Sequence, residues 1–272
     1  MQTLSAPAAV TRTSSEARLP RRLLAALPLL TALPRAARAR PSGDEATAQR
    51  VFDEGRLSCA ALFAQETKDG ADTLGAGVVW DQTGHVVVSL QAVARALGLE
   101  QPAPSSGSDA PAARPVVRSL RVRLLDASTG STLERPALLA GASAAHGLAV
   151  LRLLDCPQEA LTPVPLAGGS DARVGQAAFA VGVASLSVGC VSGLGRALAL
   201  PAGLLPGGAL QTDAVVVSEL AGAPLLDSSG RLLGLLLSPG KRGGSGLFFA
   251  VPVSTLAVVV PQLIAFGHTA DA

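Results

Sequence analysis

Short apolar segments separated by turn residues run along most of this chain, a pattern typical of proteins built from many short β-strands. The segments Leu74–Trp80 and His85–Leu90 flank Asp81–Gln82–Thr83–Gly84, where the glycine suits the positive φ of a hairpin turn. We predict further strands at residues 57–65, 117–125, 136–141, 148–153, 174–181, 189–194, 209–214, 224–226, 231–237 and 247–251. About six strands fall in each half, which favours an all-β fold of two six-stranded antiparallel β-barrels over a single sandwich.

Three further segments predict helices. Asp44–Gly55 begins with acidic residues, and Gln91–Leu97 is followed by Gly98 as a C-terminal stop. Val253–Phe266 predicts an apolar C-terminal helix with Ser254 as its N-cap. We therefore expect an N-terminal barrel over residues 44–160, and a C-terminal barrel with its closing helix over residues 161–267.

Composition supports a folded chain with one long insertion. Of the 272 residues, 49% are hydrophobic and only 15% are charged, which is enough to bury a core and argues against wholesale disorder. Residues 99–116 are rich in proline, serine, glycine and alanine and predict an exposed insertion in the first barrel. No run reaches about 18 uninterrupted apolar residues, so we expect no membrane span.

Residues 1–43 predict a targeting peptide. The first forty residues contain seven arginines against one acid and are rich in alanine and serine. Arg21–Arg22 precede the apolar run Leu23–Leu33, and Ala37–Arg38–Ala39 follows it, an order that resembles a bipartite twin-arginine signal cleaved near Ala39. These features favour the thylakoid lumen of the chloroplast; another plastid compartment, a mitochondrial leader and a disordered leader are the alternatives.

Charge and cysteine spacing exclude several classes of function. The formal charge of +2 depends on the leader, because the rest of the chain has 15 basic and 19 acidic residues, a net of −4, so we expect no nucleic-acid partner. Cys59, Cys156 and Cys190 form no Cys-x-x-Cys pair, and no His/Asp/Glu cluster has metal-ligand spacing. We expect no metal and no cofactor. The cysteines fit small buried residues, and one disulfide is the alternative.

Several motifs, in order, resemble the Deg/HtrA family of chymotrypsin-fold serine proteases over about residues 50–267. Gly75–Trp80 with Gly84–Val87 resembles that family's Gly-Ser-Gly-Phe-Val-Trp…Gly-His-Ile-Val hairpin. Leu210–Asp213 with Gly222–Asp227 resembles the segment around its nucleophile. The other matches are Leu148–Leu151, Gly169–Gln176, Ser192–Arg196, Phe249–Pro252 and Val260–Ile264. The resemblance implies chymotrypsin-like barrels, and we expect no PDZ domain, as in some lumenal plastid members.

The same resemblance locates the family's catalytic triad, and all three positions hold other residues. Gln91 stands in place of histidine, Gly147 in place of aspartate and Ala221 in place of serine. An amide cannot shuttle a proton near neutral pH, glycine has no carboxylate, and alanine has no hydroxyl nucleophile. Glu219 and Leu220 replace the glycine and asparagine of the oxyanion hole, and Glu219 places a carboxylate near where negative charge would develop.

Only three histidines are available for a rebuilt site. His85 matches a family position in the hairpin and is expected to be structural, and His268 lies in the tail. His146 lies beside Gly147, and Ser218 lies three residues before Ala221. We do not expect a Ser218–His146 dyad, because neither residue stands in a matching place of the triad.

The substitutions favour a catalytically inactive homologue that acts as a structural, regulatory or peptide-binding subunit in protein quality control. The resemblance implies a homo- or hetero-oligomer, a trimer or a multiple of it, with Deg/HtrA paralogues, and unfolded peptides as further ligands. Arg196 matches a loop arginine that relays activation between subunits in the family, with a surface arginine as the alternative. Phe52 and Phe63 are candidate trimer anchors, with core packing as the alternative. Two alternatives are left open: an active serine endopeptidase with a non-standard site, and a decaying paralogue with no selected role.

Overall fold

A computed structural model describes residues 43–64, 73–97, 120–168, 172–237 and 247–269 of this chain. The predicted insertion over residues 99–116, Gly98, and the predicted leader apart from Gly43 lie outside these ranges. None of the helices in the described ranges is long and apolar enough to cross a membrane.

Six antiparallel strands close the first barrel. Their neighbour order is β1-β2-β3-β6-β5-β4, and pairing of β1 with β4 closes the ring. Side chains alternate in and out of the barrel along β4, where Leu120, Val122 and Leu124 are buried while Arg121 and Arg123 face outwards. The strands are β1 (Cys59–Ala64), β2 (Thr73–Val79), β3 (His85–Ser89), β4 (Leu120–Leu125), β5 (Thr132–Ser143) and β6 (Leu148–Leu153).

The second barrel also has six strands, in the order β11-β14-β13-β12-β7-β8, and a small separate hairpin of β9 and β10 lies between β8 and β11 in the chain. The strands are β7 (Ala177–Val181), β8 (Leu186–Arg196), β9 (Ala199–Leu200), β10 (Gly203–Leu204), β11 (Ala209–Thr212), β12 (Pro224–Leu226), β13 (Leu232–Leu236) and β14 (Phe248–Pro252). Short 3₁₀ turns occur at Arg56–Ser58, Gln158–Ala160 and Ser218–Leu220.

Three helices pack against the barrels: α1 (Gly43–Gly55), α2 (Leu90–Ala96) and α3 (Val253–Phe266). The Ser89 hydroxyl caps α2 by accepting a hydrogen bond from the Ala92 N–H at 3.2 Å. Helix α3 ends at Gly267, whose φ of 77° is the left-handed conformation common after a helix. The Gly267 carbonyl then accepts a bond from Ala142 of β5 at 3.1 Å, so α3 links the two barrels.

The predicted N-cap of α3 is wrong. The cap position is Pro252, which makes no side-chain hydrogen bond, and Ser254 lies inside the first turn. Proline has a fixed φ and an extended ψ of 151° here, so the last residue of β14 leads directly into the helix without a polar cap.

Helix α1 is held by the turn between β12 and β13. Arg50 donates a hydrogen bond to the Ser228 carbonyl at 2.6 Å. In the same turn the buried carboxylate of Asp227 accepts bonds from the Ser229 and Arg231 N–H groups at 2.8 and 2.9 Å. The described donors to this carboxylate all belong to its own turn, so they stabilise the turn that Arg50 of α1 contacts.

The predicted fold class is confirmed, with two closed six-stranded antiparallel barrels and a C-terminal helix. Strands β5 and β8 are longer than predicted, and the β9–β10 hairpin was not predicted at all. One apolar cluster contains residues of both barrels and α3, among them Val78, Leu148, Leu225 and Leu256. The two barrels therefore share part of one core.

Candidate functional site

The turn that carries Ala221 bridges the two barrels. The side chain of Ala221 is fully buried, and its carbonyl accepts a hydrogen bond from the Ala76 N–H of β2 at 2.7 Å. Gly222 has a φ of 92° and donates its N–H to Leu236 of β13 at 2.7 Å. A Cβ at residue 222 would overlap the carbonyl oxygen of Ala76, so only glycine fits here.

Two backbone donors of this turn bond to carbonyls of the turn itself. The Ala221 N–H donates to the Ser218 carbonyl at 3.2 Å, and the Ala223 N–H donates to the Leu220 carbonyl at 3.0 Å. An oxyanion site needs N–H groups that point at the place where the oxyanion forms. The N–H of Ala221 points instead into the 3₁₀ turn, in which Glu219 is exposed and Leu220 is buried.

Gln91 lies in the first turn of α2, and its side chain is exposed. The next residue, Ala92, faces Gly75 of β2, where an added Cβ would lie 2.7 Å from the Ala92 Cβ and 2.8 Å from the Ala221 carbonyl oxygen. Glycine at residue 75 therefore lets α2, β2 and the Ala221 turn approach one another closely.

Gly147 closes the turn between β5 and β6 with a φ of 64°. Its carbonyl accepts a hydrogen bond from the Leu90 N–H at 2.9 Å, which joins this turn to the start of α2. A Cβ at residue 147 would lie 3.4 Å from Leu200 Cδ1 and 3.6 Å from Leu237 Cδ2. The space in front of Gly147 is therefore bordered by leucine side chains.

The structure thus brings the three predicted triad positions to one junction between the barrels. Gly147 is bonded to Leu90 beside Gln91, and the helix that carries Gln91 meets Ala221 at Gly75. The side chains present there are an exposed amide, a hydrogen atom and a buried methyl group. None of them can act as a nucleophile, a general base or a carboxylate that orients a base.

The alternative pair, Ser218 and His146, has contacts of a different kind. His146 is buried, and its Nδ1 lies 2.9 Å from the Ser143 hydroxyl of β5. That hydroxyl is 3.5 Å from the hydroxyl of Thr269, so the described contacts of His146 join β5 to the C-terminal segment. Ser218 is exposed at the start of its 3₁₀ turn.

His85 stabilises the hairpin turn between β2 and β3. Its Nδ1 lies 2.7 Å from the Asp81 carboxylate and 3.0 Å from the Thr83 hydroxyl. Burial alone would raise the pKa of Asp81, but hydrogen bonds from Thr83 and His85 outweigh it and hold this pKa below its usual range. The prediction of a structural role for His85 agrees with these contacts.

The cysteines do not pair. All three thiols are free, and Cys59 is fully buried with its thiol directed at the carbonyls of Gly55 and Val181 at 3.3 and 3.2 Å. Burial raises the pKa of the Cys59 thiol and, to a smaller degree, that of Cys156. Among the residues that the structure describes, no three His, Cys, Asp or Glu side chains form a group suited to a metal ion.

The candidate regulatory and oligomer residues occupy different environments. The Arg196 guanidinium folds back towards Gly193, where an added Cβ would meet its Nε at 2.5 Å. Phe63 is buried within the chain under the guanidinium of Arg123, which lies 4.2 Å from the ring centre. Phe52 is only partly buried, so its ring is the more accessible of the two.

A model of the trypsin-like peptidase domain matches residues 75–235, which contain all three junction positions. The chain belongs to the trypsin-like peptidase family. Its relatives in this family include Deg/HtrA proteins, as the sequence motifs predicted.

Three members of this family show the extent of the similarity. Protease Do-like 5, chloroplastic, of Arabidopsis thaliana is 33% identical over 221 residues, which cover 78% of this chain and 64% of that protein. Protease Do-like 8, chloroplastic, of the same plant is 37% identical over 200 residues, which cover 71% of this chain and 42% of that protein. The crystal structure of Deg5 matches with a TM-score of 0.65 and 31% identity over 84% of this chain and 99% of that chain.

The similarity covers only part of the length of each of these curated relatives. The chain spans 64%, 49% and 42% of the lengths of three chloroplastic Do-like proteases. The names of the relatives therefore describe proteins longer than the matched region.

Two residues at the junction were missed by sequence reasoning. Leu200 and Leu237 border Gly147, but Leu200 belongs to a hairpin with two residues in each strand, which is too short to produce a strand pattern. The available signal was the run of turn residues at Pro201, Gly203 and Pro206, with leucines between them.

Proposed function

We propose that this chain is a non-catalytic member of the Deg/HtrA group, which acts as a structural, regulatory or peptide-binding subunit in protein quality control. The observation that carries the proposal is the set of side chains at the barrel junction. Gln91, Gly147 and Ala221 lie on the segments that pack together at this junction. Their side chains supply neither a nucleophile nor a base nor an orienting carboxylate.

The backbone of the same site supports the proposal independently. In serine proteases the oxyanion hole contributes a large part of the rate even after the triad is removed, about 10³–10⁴ over water together with binding. Here the Ala221 N–H is hydrogen-bonded to Ser218, and the exposed carboxylate of Glu219 lies in the same turn. Both features disfavour a negatively charged intermediate at this place.

The second function is an active serine endopeptidase with a non-standard site. The names of the relatives favour it, since the Arabidopsis proteins are called proteases. Ser218 is exposed and is the hydroxyl that lies nearest to Ala221 along the turn. It would need a base, and the Nδ1 of His146 lies beside the hydroxyl of Ser143 instead.

A hydrolysis assay with three variants separates these functions. We expect the purified chain to release no more fluorescent peptide from labelled casein than a buffer control does, and Ser218→Ala and His146→Ala to change nothing. Hydrolysis that is lost in Ser218→Ala but retained in Ser228→Ala, an exposed serine of the β12–β13 turn, would establish the endopeptidase instead.

Assembly and location are part of the same proposal. Residues 1–43 act as a leader to the thylakoid lumen, and the mature chain joins active paralogues in a trimer or a multiple of it. Chloroplastic relatives support the plastid, and the partly exposed ring of Phe52 supports a contact near α1. Affinity purification from isolated lumen is expected to recover the chain without its leader, together with a Do-like protease. Recovery from the cytosol, or as a lone monomer from the lumen, would contradict this part of the proposal.

A further inference from the structure

The β9–β10 hairpin leaves the second barrel and needs anchors to stay folded. It has two residues in each strand, and isolated two-stranded hairpins are marginally stable in water. The Leu205 N–H closes it by donating to the Leu198 carbonyl at 2.8 Å. Leu205 is buried, Leu198 and Leu200 pack against the shared core, and Leu204 is 67% exposed. One side of the hairpin is therefore fixed by leucines and the other faces solvent.

One of these anchors rests on the first barrel. A Cβ built on Gly147 would lie 3.4 and 3.8 Å from the two δ carbons of Leu200, and 3.6 Å from Leu237 Cδ2. These are van der Waals distances, so a side chain at residue 147 that extends towards Leu200 or Leu237 would displace one of the leucines. Because glycine has no side chain, Leu200 can pack against the backbone at residue 147.

We propose that the β9–β10 hairpin is a strap that joins the second barrel to the first, locked by Leu200 on Gly147. The strap closes the side of the junction towards which a side chain at residue 147 would project. Leu200 packs on Gly147, and an aspartate side chain at residue 147 would displace Leu200 and release the hairpin from the first barrel. The proposal does not depend on the catalytic state of the chain, because it concerns only the packing of the hairpin.

A left-handed φ by itself would also select glycine at residue 147, and Gly130 separates the two explanations. Gly130 has a φ of 70°, close to the 64° of Gly147, and no atom lies within 4 Å of its virtual Cβ. Aspartate has a similar conformational cost at either position, because the two φ values are close. It also tolerates the left-handed region better than most residues. Only at residue 147 does the side chain meet the strap.

Hydrogen–deuterium exchange of residues 198–205 tests the lock. We expect Gly147→Asp to speed exchange of the Leu205 amide by about tenfold or more, because the closing hydrogen bond opens when the anchor is lost. Gly130→Asp should leave exchange of this segment unchanged. Equal exchange in the two variants would overturn the proposal.

A second pair of variants keeps the test decisive if Gly147→Asp does not fold. Leu200→Ala removes the anchor, whereas Leu204→Ala changes an exposed leucine of the same hairpin. We expect faster exchange of residues 198–205 in Leu200→Ala only. Where the aspartate variant folds, adding Gly147→Asp to Leu200→Ala should speed exchange by much less than it does alone. Equal exchange in the two alanine variants, or independent effects in the double variant, would contradict the lock.

Discussion

At the scale of single residues, Ala221 lacks one oxygen atom compared with serine, but its surroundings differ as well. Its N–H is bonded to Ser218, and its side chain has no exposed surface. Gly147 has a left-handed φ and leucine neighbours where an orienting carboxylate would be required. Under the proposed function, the different side chains are therefore accompanied by a backbone in which the Ala221 N–H is already hydrogen-bonded.

Restoring two side chains is expected to leave the chain inactive. In Gln91→His/Ala221→Ser a base and a hydroxyl return, but the amide of residue 221 remains in its 3₁₀ turn and the orienting carboxylate is still missing. Hydrolysis of labelled casein should equal that of the unmodified chain, with a competent serine protease as the positive control. Measurable turnover in this double variant would show that the backbone of the turn is competent after all.

The Asp81 carboxylate predicts a pH-dependent contribution to stability. Its folded-state pKa is lowered, so it stabilises the fold above its unfolded pKa of about 3.9, and this stabilisation is lost as the pH falls through the folded pKa. Urea unfolding of the wild type and Asp81→Asn should therefore give a difference in unfolding free energy that is present at pH 5 and shrinks below about pH 4. An equal difference in unfolding free energy at pH 5 and pH 3 would contradict the stabilisation of the fold by the ionised Asp81 carboxylate.

At the scale of elements, α3 depends on one face for its attachment to the barrels. Leu256, Val260 and Leu263 are fully buried, while Val258 is 60% exposed on the opposite face. A Cβ at Gly141 of β5 would meet the Leu263 carbonyl at 2.5 Å, which shows how closely the helix approaches the first barrel. The buried face of α3 therefore forms the contact between this helix and the barrels.

Two alanine variants of α3 test this arrangement. Leu263→Ala should lower the free energy of unfolding by about 2–5 kcal/mol, the usual cost of truncating a buried leucine. Val258→Ala should change it by no more than about 0.5 kcal/mol. Similar effects of the two changes in chemical denaturation would contradict the described packing of the helix.

Elements with strong local patterns could be predicted from sequence, and elements fixed by distant contacts could not. The β2–β3 hairpin follows from its apolar runs and the Asp81–Gly84 turn, and it appears within one residue of the predicted ends. The β9–β10 hairpin depends on Leu200 resting on Gly147, a contact between barrels that no local pattern reports. The N-cap prediction for α3 failed for a local reason, because Pro252 at the end of β14 occupies the cap position and the helix begins at Val253.

The residues of the candidate site could be proposed from the sequence, but their geometry could not. Motifs on both sides of Gln91, Gly147 and Ala221 locate these positions, and the fold brings them to one junction. The direction of the Ala221 N–H depends on the backbone of the Ser218–Leu220 turn, and the cover over Gly147 depends on leucines from two other segments. Neither can be deduced from residue types alone.

At the scale of the whole molecule, two barrels, a shared core and α3 form the framework of the trypsin-like family, to which the chain belongs. The framework keeps the glycines on which close approach depends, such as Gly75 and Gly222 at the junction. A protein that retains this architecture with a different set of junction side chains remains able to fold and to offer surfaces to partners. We propose that the chain has no serine-protease activity.

Intact-protein mass spectrometry after incubation with a fluorophosphonate tests that claim most directly. The reagent forms a stable adduct with an activated serine, so a competent protease gains its mass within minutes. We expect the folded chain without its leader to keep its original mass, as its own heat-denatured sample does. A stoichiometric adduct that forms only in the folded chain, and that peptide mapping places on one serine, would contradict the account.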